Sequence, residues 1–500
     1  MRVLNVFCIN TDGSFKRTRC MAKKRIKTNG IFFTGKASED VTGSQYYLKY
    51  GTVQILLECG LHQSSTNSYL DSYKVNSDKF QFKPNEIDYI FLNHAHIDHI
   101  GLVPRIVKEG FCGKIIATHE TAVIMKSLLL NSCFILADEA RVLSKRYHRD
   151  YQPIYTIEDV YRTMELVYEY DSYDTEYILD NRISFKWYEN SHCPGAAQLG
   201  LKVSDGYSVR HILYTSDIGA LYTKNHYLKN TVIPRERFDV AIMESTYGSQ
   251  TKINKKNRKF DIEHLCTAIN TTLERKGTVI LPCFSFSRTQ EILTTLYDIY
   301  GKDENFVTPV VVDSKLSCEI SDLYSKILDG NNLTYWKKVK SWNNVKFISE
   351  KTDSQACLSD NTPKIVISSS GFCTNGRIVN YLKKYLRDKN SMIIFSGFVG
   401  ENPSYLSYRI KNFSQRSHIS INKELIPNHA DCISLSTFSS HANYDDLVTY
   451  GGSLETNKLI LVHGSSESKR NLSEGLKKII SKNNKTFKVV SAHKGMVIHL

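Results

Sequence analysis

Residues 31–61, IFFTGKASEDVTGSQYYLKYGTVQILLECGL, alternate short apolar runs with glycine-containing turns, which predicts strand, turn, strand, turn, strand. The apolar run at 87–92 predicts a buried strand. Beyond it, 102–108 reads as helix and 114–117 as strand. Spaced apolar positions such as Val123, Leu128, Ile135, Val142, Val160 and Leu166 predict a mostly helical stretch over 120–170. A strand is expected at 183–187, followed by a tight turn among the small residues of NSHCPGAAQLGLKV. From 250 to 435 helix and strand alternate: helices at 261–275 and 287–299, strands at 277–283, 309–312, 364–368 and 391–396. Such alternation implies parallel strands with crossover helices, an α/β architecture. The runs TFKVVS and GMVIHL predict two last strands.

Composition narrows the picture. A chain of 500 residues exceeds one ordinary core, so two or three domains are expected. With 41% hydrophobic residues, wholesale disorder is excluded. No contiguous apolar run approaches bilayer length, so no membrane partner is expected. The N-terminus lacks the apolar core of a secretion signal, which points to a cytoplasmic protein. Twelve scattered cysteines without a C-x-x-C fit reduced thiols rather than a disulfide framework. The 65 basic residues exceed the 51 acidic ones, and the net charge of +14 favours a polyanionic partner. Residues 1–28 are basic and uneven, with Met21 a second candidate start; no role is assigned to them.

The chemistry concentrates in FLNHAHIDHIG. His94, His96, Asp98 and His99 occupy six consecutive positions directly behind the predicted strand. No regular helix or strand aims all four at one ion. A loop leaving the end of a strand can, by splitting them into two pairs, His94 with His96 and Asp98 with His99. Imidazole and carboxylate donors suit zinc.

H-x-H-x-D-H followed by Gly101 resembles the signature of the metallo-β-lactamase fold hydrolases, and His96 in place of a glutamate favours a zinc hydrolase. Further motifs then acquire meaning. Glu58, closing a strand before Gly60, stands where that family has an aspartate that orients the metal centre; a surface glutamate at a strand end is the alternative. His192 falls at the third metal motif, and Asp217 in Y-T-x-D at the bridging carboxylate. FDVAIMESTYGSQ narrows the resemblance to the β-CASP branch, the members that cut nucleic acids, with Glu244 in motif A. His441 in ISLSTFSSHANYDDL and His463 in NKLILVHGSSESK look like motifs B and C. The resemblance spans about residues 30–500, with no further RNA-binding module expected at either end.

The resemblance implies a metallo-β-lactamase αββα sandwich, residues 29–248 and 436–500, interrupted by a β-CASP α/β domain of mainly parallel sheet at 249–435. It implies two Zn2+ ions per chain, one on His94, His96 and His192, the other on Asp98, His99 and His463, with Asp217 between them. Two such ions activate water and clamp an in-line displacement at phosphorus. His441 is the candidate general acid with Glu244 holding its ring, and Asp98 is counted with the catalytic groups. Arg288 and Ser440 are candidate phosphate contacts; Arg288, in the Ser287–Thr289 segment opening a helix, could equally form an internal ion pair. The basic run at 251–260 is either a solvated loop or a phosphate contact. The implied activity is hydrolysis of single-stranded RNA to 5′-phosphate and 3′-hydroxyl ends, by endonucleolytic or 5′-to-3′ exonucleolytic cleavage. The alternatives are a DNA-directed β-CASP nuclease, disfavoured by His463, and an inactive RNA-binding scaffold, disfavoured by the full ligand set. A homodimer or a processing complex is compatible with this reading.

Overall fold

A strand buried on both faces needs apolar side chains at successive positions, because neighbours along it point to opposite sides. Tyr89–Phe91 shows the pattern. Tyr89 and Phe91 enter the core between two sheets, while Ile90 enters the core under the outer helices. The computed structural model describes residues 28–63, 68–223, 225–249, 258–397, 399–400, 402–413 and 417–500, with the backbone of the short strands Cys8–Ile9 and Phe15–Lys16. Most of the extension at 1–28 and the basic run at 251–257 lie outside them.

Two seven-stranded sheets face each other. The first runs Val497–His499, Gly30–Phe33, Tyr46–Tyr50, Val53–Leu57, Tyr89–Phe91, Lys114–Ala117, Val167–Glu169. The second runs Lys488–Ser491, Glu455–Val462, Arg237–Glu244, Val209–Tyr214, Ala197–Ser204, Ile183–Glu189, Tyr177–Asp180. Between them Ile31, Leu48, Phe91, Phe185, Trp187, Leu199, Ile242 and Ile460 form one buried core. Helices cover both outer faces, Tyr444–Ser453 and Ser466–Lys482 packing on Leu213, Met243 and Leu459. This is the expected αββα sandwich.

The third sheet is six-stranded and wholly parallel, in the order Val345–Ile348, Val310–Asp313, Ile365–Ser368, Val279–Pro282, Met392–Phe395, Asp431–Ser434. After it the chain re-enters the second sheet at Glu455–Val462, pairing in parallel with Arg237–Glu244. Asp261, buried near the start of Arg258–Glu274, ties the return: its carboxylate accepts from the amides of Ser436 and Thr437 at 2.8 Å each.

Helix His119–Tyr147 is long and apolar enough to cross a bilayer by length and composition alone, although Lys126 and Asp138 interrupt its apolar run. In the fold it buries Ile124, Met125, Leu128 and Leu136, and Ser127 donates to Glu319 on a helix, Lys315–Ile327, that packs beside the third sheet, at 2.5 Å.

Candidate active site

The strands Val53–Leu57, Tyr89–Phe91, Ile183–Glu189, Val209–Tyr214, Arg237–Glu244 and Glu455–Val462 end at one edge of the sandwich, and each hands a functional residue to the loop beyond. The turn after Tyr89–Phe91 delivers His94 and His96, then opens a single helical turn, Ile97–Ile100, that carries Asp98 and His99. Gly60 permits this packing, since a Cβ there would lie 1.5 Å from the Asp98 carbonyl. Asp217 stands three residues past the end of Val209–Tyr214, on a turn that puts Ser216 at φ +53°.

Two sets of donor atoms result. His94, His96 and His192 form one; Asp98, His99, Asp217 and His463 form the other. The His96 Nδ1 and His192 Nε2 atoms are 3.1 Å apart. One Asp217 oxygen, Oδ2, lies 3.8 Å from His94 Nε2, 3.6 Å from His192 Nε2 and 3.2 Å from His99 Nε2, so it faces both sets. Asp217 Oδ1 is 3.2 Å from His463 Nδ1. His463 Nε2 approaches Asp98 at 3.6 Å.

The donor atoms behave as a metal site requires. His94 Nε2, His99 Nε2, His463 Nε2 and Asp217 Oδ1 are buried and make no hydrogen bond among the described residues. A buried polar atom without a partner costs about 1–3 kcal/mol, which a cation in that space would remove. Burial and the neighbouring imidazoles hold His94 and His192 well below the ordinary histidine range, and burial foremost pushes His96 down to about 4. Those three rings are therefore neutral, with lone pairs available. At His99 burial opposes the cation, but Asp217, Glu58 and Asp98 outweigh it and lift the ring well above its ordinary value. Burial likewise opposes ionisation of Asp217, yet His463, His99 and His441 hold its carboxyl well below the usual range. The carboxylates thus gather on the Asp98–Asp217 side, where they favour positive charge at His99 and His463, a charge that a divalent ion there would supply in place of the protons.

His441 belongs to neither of these two sets, although it forms a further close group with His192 and Asp217. Its Nδ1 is 3.0 Å from Glu244 Oε1, its Nε2 3.9 Å from Asp217 Oδ2, and its side chain keeps 21% of its surface exposed. Burial disfavours its cation, but Glu244 and Asp217 outweigh this and raise its pKa to about 9. Glu244 also accepts from the amides of Ile218 and Thr246, which fixes the carboxylate under the ring.

Three stretches match known domain families in chain order: residues 39–132 the metallo-β-lactamase superfamily, 289–403 the Beta-Casp domain, and 425–489 the Zn-dependent metallo-hydrolase RNA specificity domain. The chain belongs to the β-CASP branch of the metallo-β-lactamase superfamily. This β-CASP protein is 26% identical over 440 residues to Ribonuclease TTHA0252 of Thermus thermophilus, covering 86% of this chain and 92% of that one. It is 29% identical over 416 residues to an RNase J-like protein of Methanocaldococcus jannaschii, covering 82% and 87%. With the endoribonuclease YSH1 of Eremothecium gossypii it shares 23% over 477 residues, 91% of this chain and 58% of the relative. Among solved structures, a protein of unknown function from Enterococcus faecalis V583 has the same fold, with a TM-score of 0.53 at 14% identity, covering 95% of this chain and all of that one.

In the β-CASP protein Glu58 is not a surface residue. It is fully buried at φ +59°, and its carboxylate accepts from His99 Nδ1 at 2.6 Å, from Ser216 Oγ at 2.7 Å and from the Tyr214 hydroxyl. That bond fixes the His99 ring with Nε2 turned towards Asp217. Ser216 Oγ is also 3.2 Å from His94 Nδ1, so one small network sets two ligand rings. Thr246 Oγ1 does the same for His463, 3.0 Å from its Nδ1. Tyr214, Ser216 and Thr246 escaped the sequence reading; their only signal was adjacency to Asp217 and Glu244. Glu58, Ser216 and His463 (φ +49°) are non-glycine residues in the left-handed region, a strain of about 1–3 kcal/mol each that clusters at this site.

The two candidate phosphate contacts fare differently. Arg288 is buried and paired with Glu291 at 2.5 Å, and Arg258 joins the same carboxylate at 2.8 Å, so the internal ion pair is the one present. The amides of Arg288 and Thr289 are taken by the carbonyls of Phe286 and Phe284, leaving neither for a ligand. Ser440 is half-buried, and it is Ser439 that touches His441, accepting from its amide at 3.2 Å. The third sheet supplies instead Phe286, whose ring packs against His96 at 5.3 Å.

Proposed function

We propose that the protein is a zinc-dependent ribonuclease that hydrolyses phosphodiester bonds of single-stranded RNA with two metals, leaving 5′-phosphate and 3′-hydroxyl ends. The observation that carries this reading is the His441–Glu244 pair beside two abutting donor sets that share Asp217. The sets fit zinc by donor type, and ions held there would supply activated water and neutralise charge at phosphorus.

The chain's own groups perform the rest. Asp98, its side chain 22% exposed, is the carboxylate of the pair nearest the opening and the one placed to orient the attacking water and receive its proton. As the water oxygen bonds to phosphorus, the bond to the 3′ oxygen breaks, and that oxygen needs a proton. His441 holds one at neutral pH because Glu244 and Asp217 favour its cation. Glu244, in accepting from Nδ1, leaves Nε2 as the face that donates. The choice of RNA is supported by the relatives, which include proteins named ribonuclease and endoribonuclease, and by the net charge of +14.

The test is cleavage of a 5′-labelled single-stranded RNA and the matching DNA, with and without chelator. Chelator-sensitive cleavage of RNA supports the proposal. Cleavage that survives chelation rejects the metal mechanism, preference for DNA overturns the substrate, and absence of cleavage leaves an RNA-binding scaffold.

A further inference from the structure

A second cationic site adjoins the first. The loop between Gly30–Phe33 and Tyr46–Tyr50, the turn after Val53–Leu57, the segment 75–81 and the turn before Val497–His499 line a half-open cavity of about 60 Å³. Lys36, Lys79 and Lys494 are among the residues that line it, with His62 and a single carboxylate, Asp78. Among the described residues none of the three ammonium groups sits in an ion pair, unlike those of Lys83, Lys186, Lys202 and Lys364.

The frame of this cavity is built, not incidental. Buried Asn76 holds the His62 backbone from both sides, accepting from its amide and donating to its carbonyl at 2.8 Å each. Arg105, also buried, spends its guanidinium on the carbonyls of Asn76, Ser77 and Asp78 and on Glu109, which pins the turn bearing Lys79. Gly43, at φ +82°, keeps the interior open, for a Cβ there would stand 3.1 Å from His62 and 3.4 Å from Lys36. Burial first, then Lys36 and Lys494 against Asp40, hold His62 below its ordinary pKa, so the lysines supply the positive charge.

Its position relates it to the active site. The same segments grip the metal-binding loops: Ser44 N donates to Asp98 O at 2.9 Å, His463 N to Ala37 O at 2.6 Å, and Leu61 N to Ile97 O at 3.0 Å. We infer that Lys36, Lys79 and Lys494 form a subsite for a phosphate of the RNA strand away from the scissile bond, on the Asp98–His463 side. This rests on the ribonuclease reading.

The experiment uses the full chain loaded with zinc, a 5′-labelled single-stranded RNA, and the variants Lys36→Gln/Lys494→Gln and Lys79→Gln. Expected for the double variant is a KM about tenfold higher with kcat unchanged, and a plot of log affinity against log salt shallower by about 0.7 for each lysine removed. Zinc content and Tm should match the parent, and Lys36→Arg/Lys494→Arg should restore the KM. A KM and salt slope equal to the parent's in both variants overturn the subsite while leaving the ribonuclease intact. Uridine 5′-monophosphate and inorganic phosphate are titrated in parallel: lysine-dependent binding of either, without a change in RNA KM, assigns the cavity to a free phosphate and overturns the strand assignment. Should the parent neither bind nor cleave RNA, the ribonuclease reading itself has failed, and this is seen before any variant is made.

Discussion

Asp313 in the inserted sheet and Asp217 in the sandwich are both buried aspartates at or just beyond the carboxyl end of a parallel strand. Their surroundings differ. Asp313 accepts from Arg377 at 2.7 Å, Ser354 at 2.7 Å and Tyr381 at 2.6 Å, so both oxygens are supplied by protein donors. Asp217 faces five histidine rings, and its Oδ1 makes no hydrogen bond among the described residues. A buried carboxylate saturated by donors holds a fold together; one left facing lone pairs holds a place for a cation. The insert therefore uses its acid to anchor Arg377 and Tyr381, while the sandwich leaves its own for chemistry.

The sharpest way to break this contrast is to remove ligand and acid separately. His463→Ala should lose the metal on the Asp98–His99 side, and His441→Ala should keep both metals yet cleave about 10²–10⁴-fold more slowly. Metal analysis beside single-turnover kinetics separates them, and equal zinc loss in the two variants would refute the division of roles. Next in size, Glu58→Gln should weaken zinc binding about 10–100-fold by loosening the His99 ring, measured by competition with a chromogenic chelator. Asp313→Asn is the counterpart in the insert: a loss of about 2 kcal/mol in denaturant unfolding, with zinc content unchanged. Metal loss in that variant would erase the distinction.

The smallest expected effect is on pH dependence. His441 has a raised pKa, so its proton-donating form persists through neutrality and is lost as pH rises through about 9. Cleavage limited by that proton should fall on the alkaline side, and Glu244→Gln should move the fall to lower pH. A pH–rate profile unmoved by Glu244→Gln would show that the pair does not tune the acid.

Much of this was legible beforehand. His94, His96, Asp98 and His99 share one loop, and His192, Asp217, Glu244, His441 and His463 each follow an apolar strand or carry a motif, so position along the chain already implied a common edge. Glu58 was not decidable, because its sequence position allowed both a surface and a buried role. Arg288 was not decidable either, since Glu291, one turn away, and Arg258, thirty residues earlier, decide between ion pair and phosphate. Ser216 and Thr246 are ordinary residue types whose importance arises only from the ring each one touches.

The sequence by itself determined the alternation of strands and helices, the residue types of the donors and their order, since these depend on local periodicity and spacing. Tertiary structure alone decided which oxygen of Asp217 faces both donor sets, that Glu58 is buried behind His99, and that three distant lysines share one cavity. The reason is that such properties belong to distances between segments hundreds of residues apart, which are set when the two sheets close on their common core and not before.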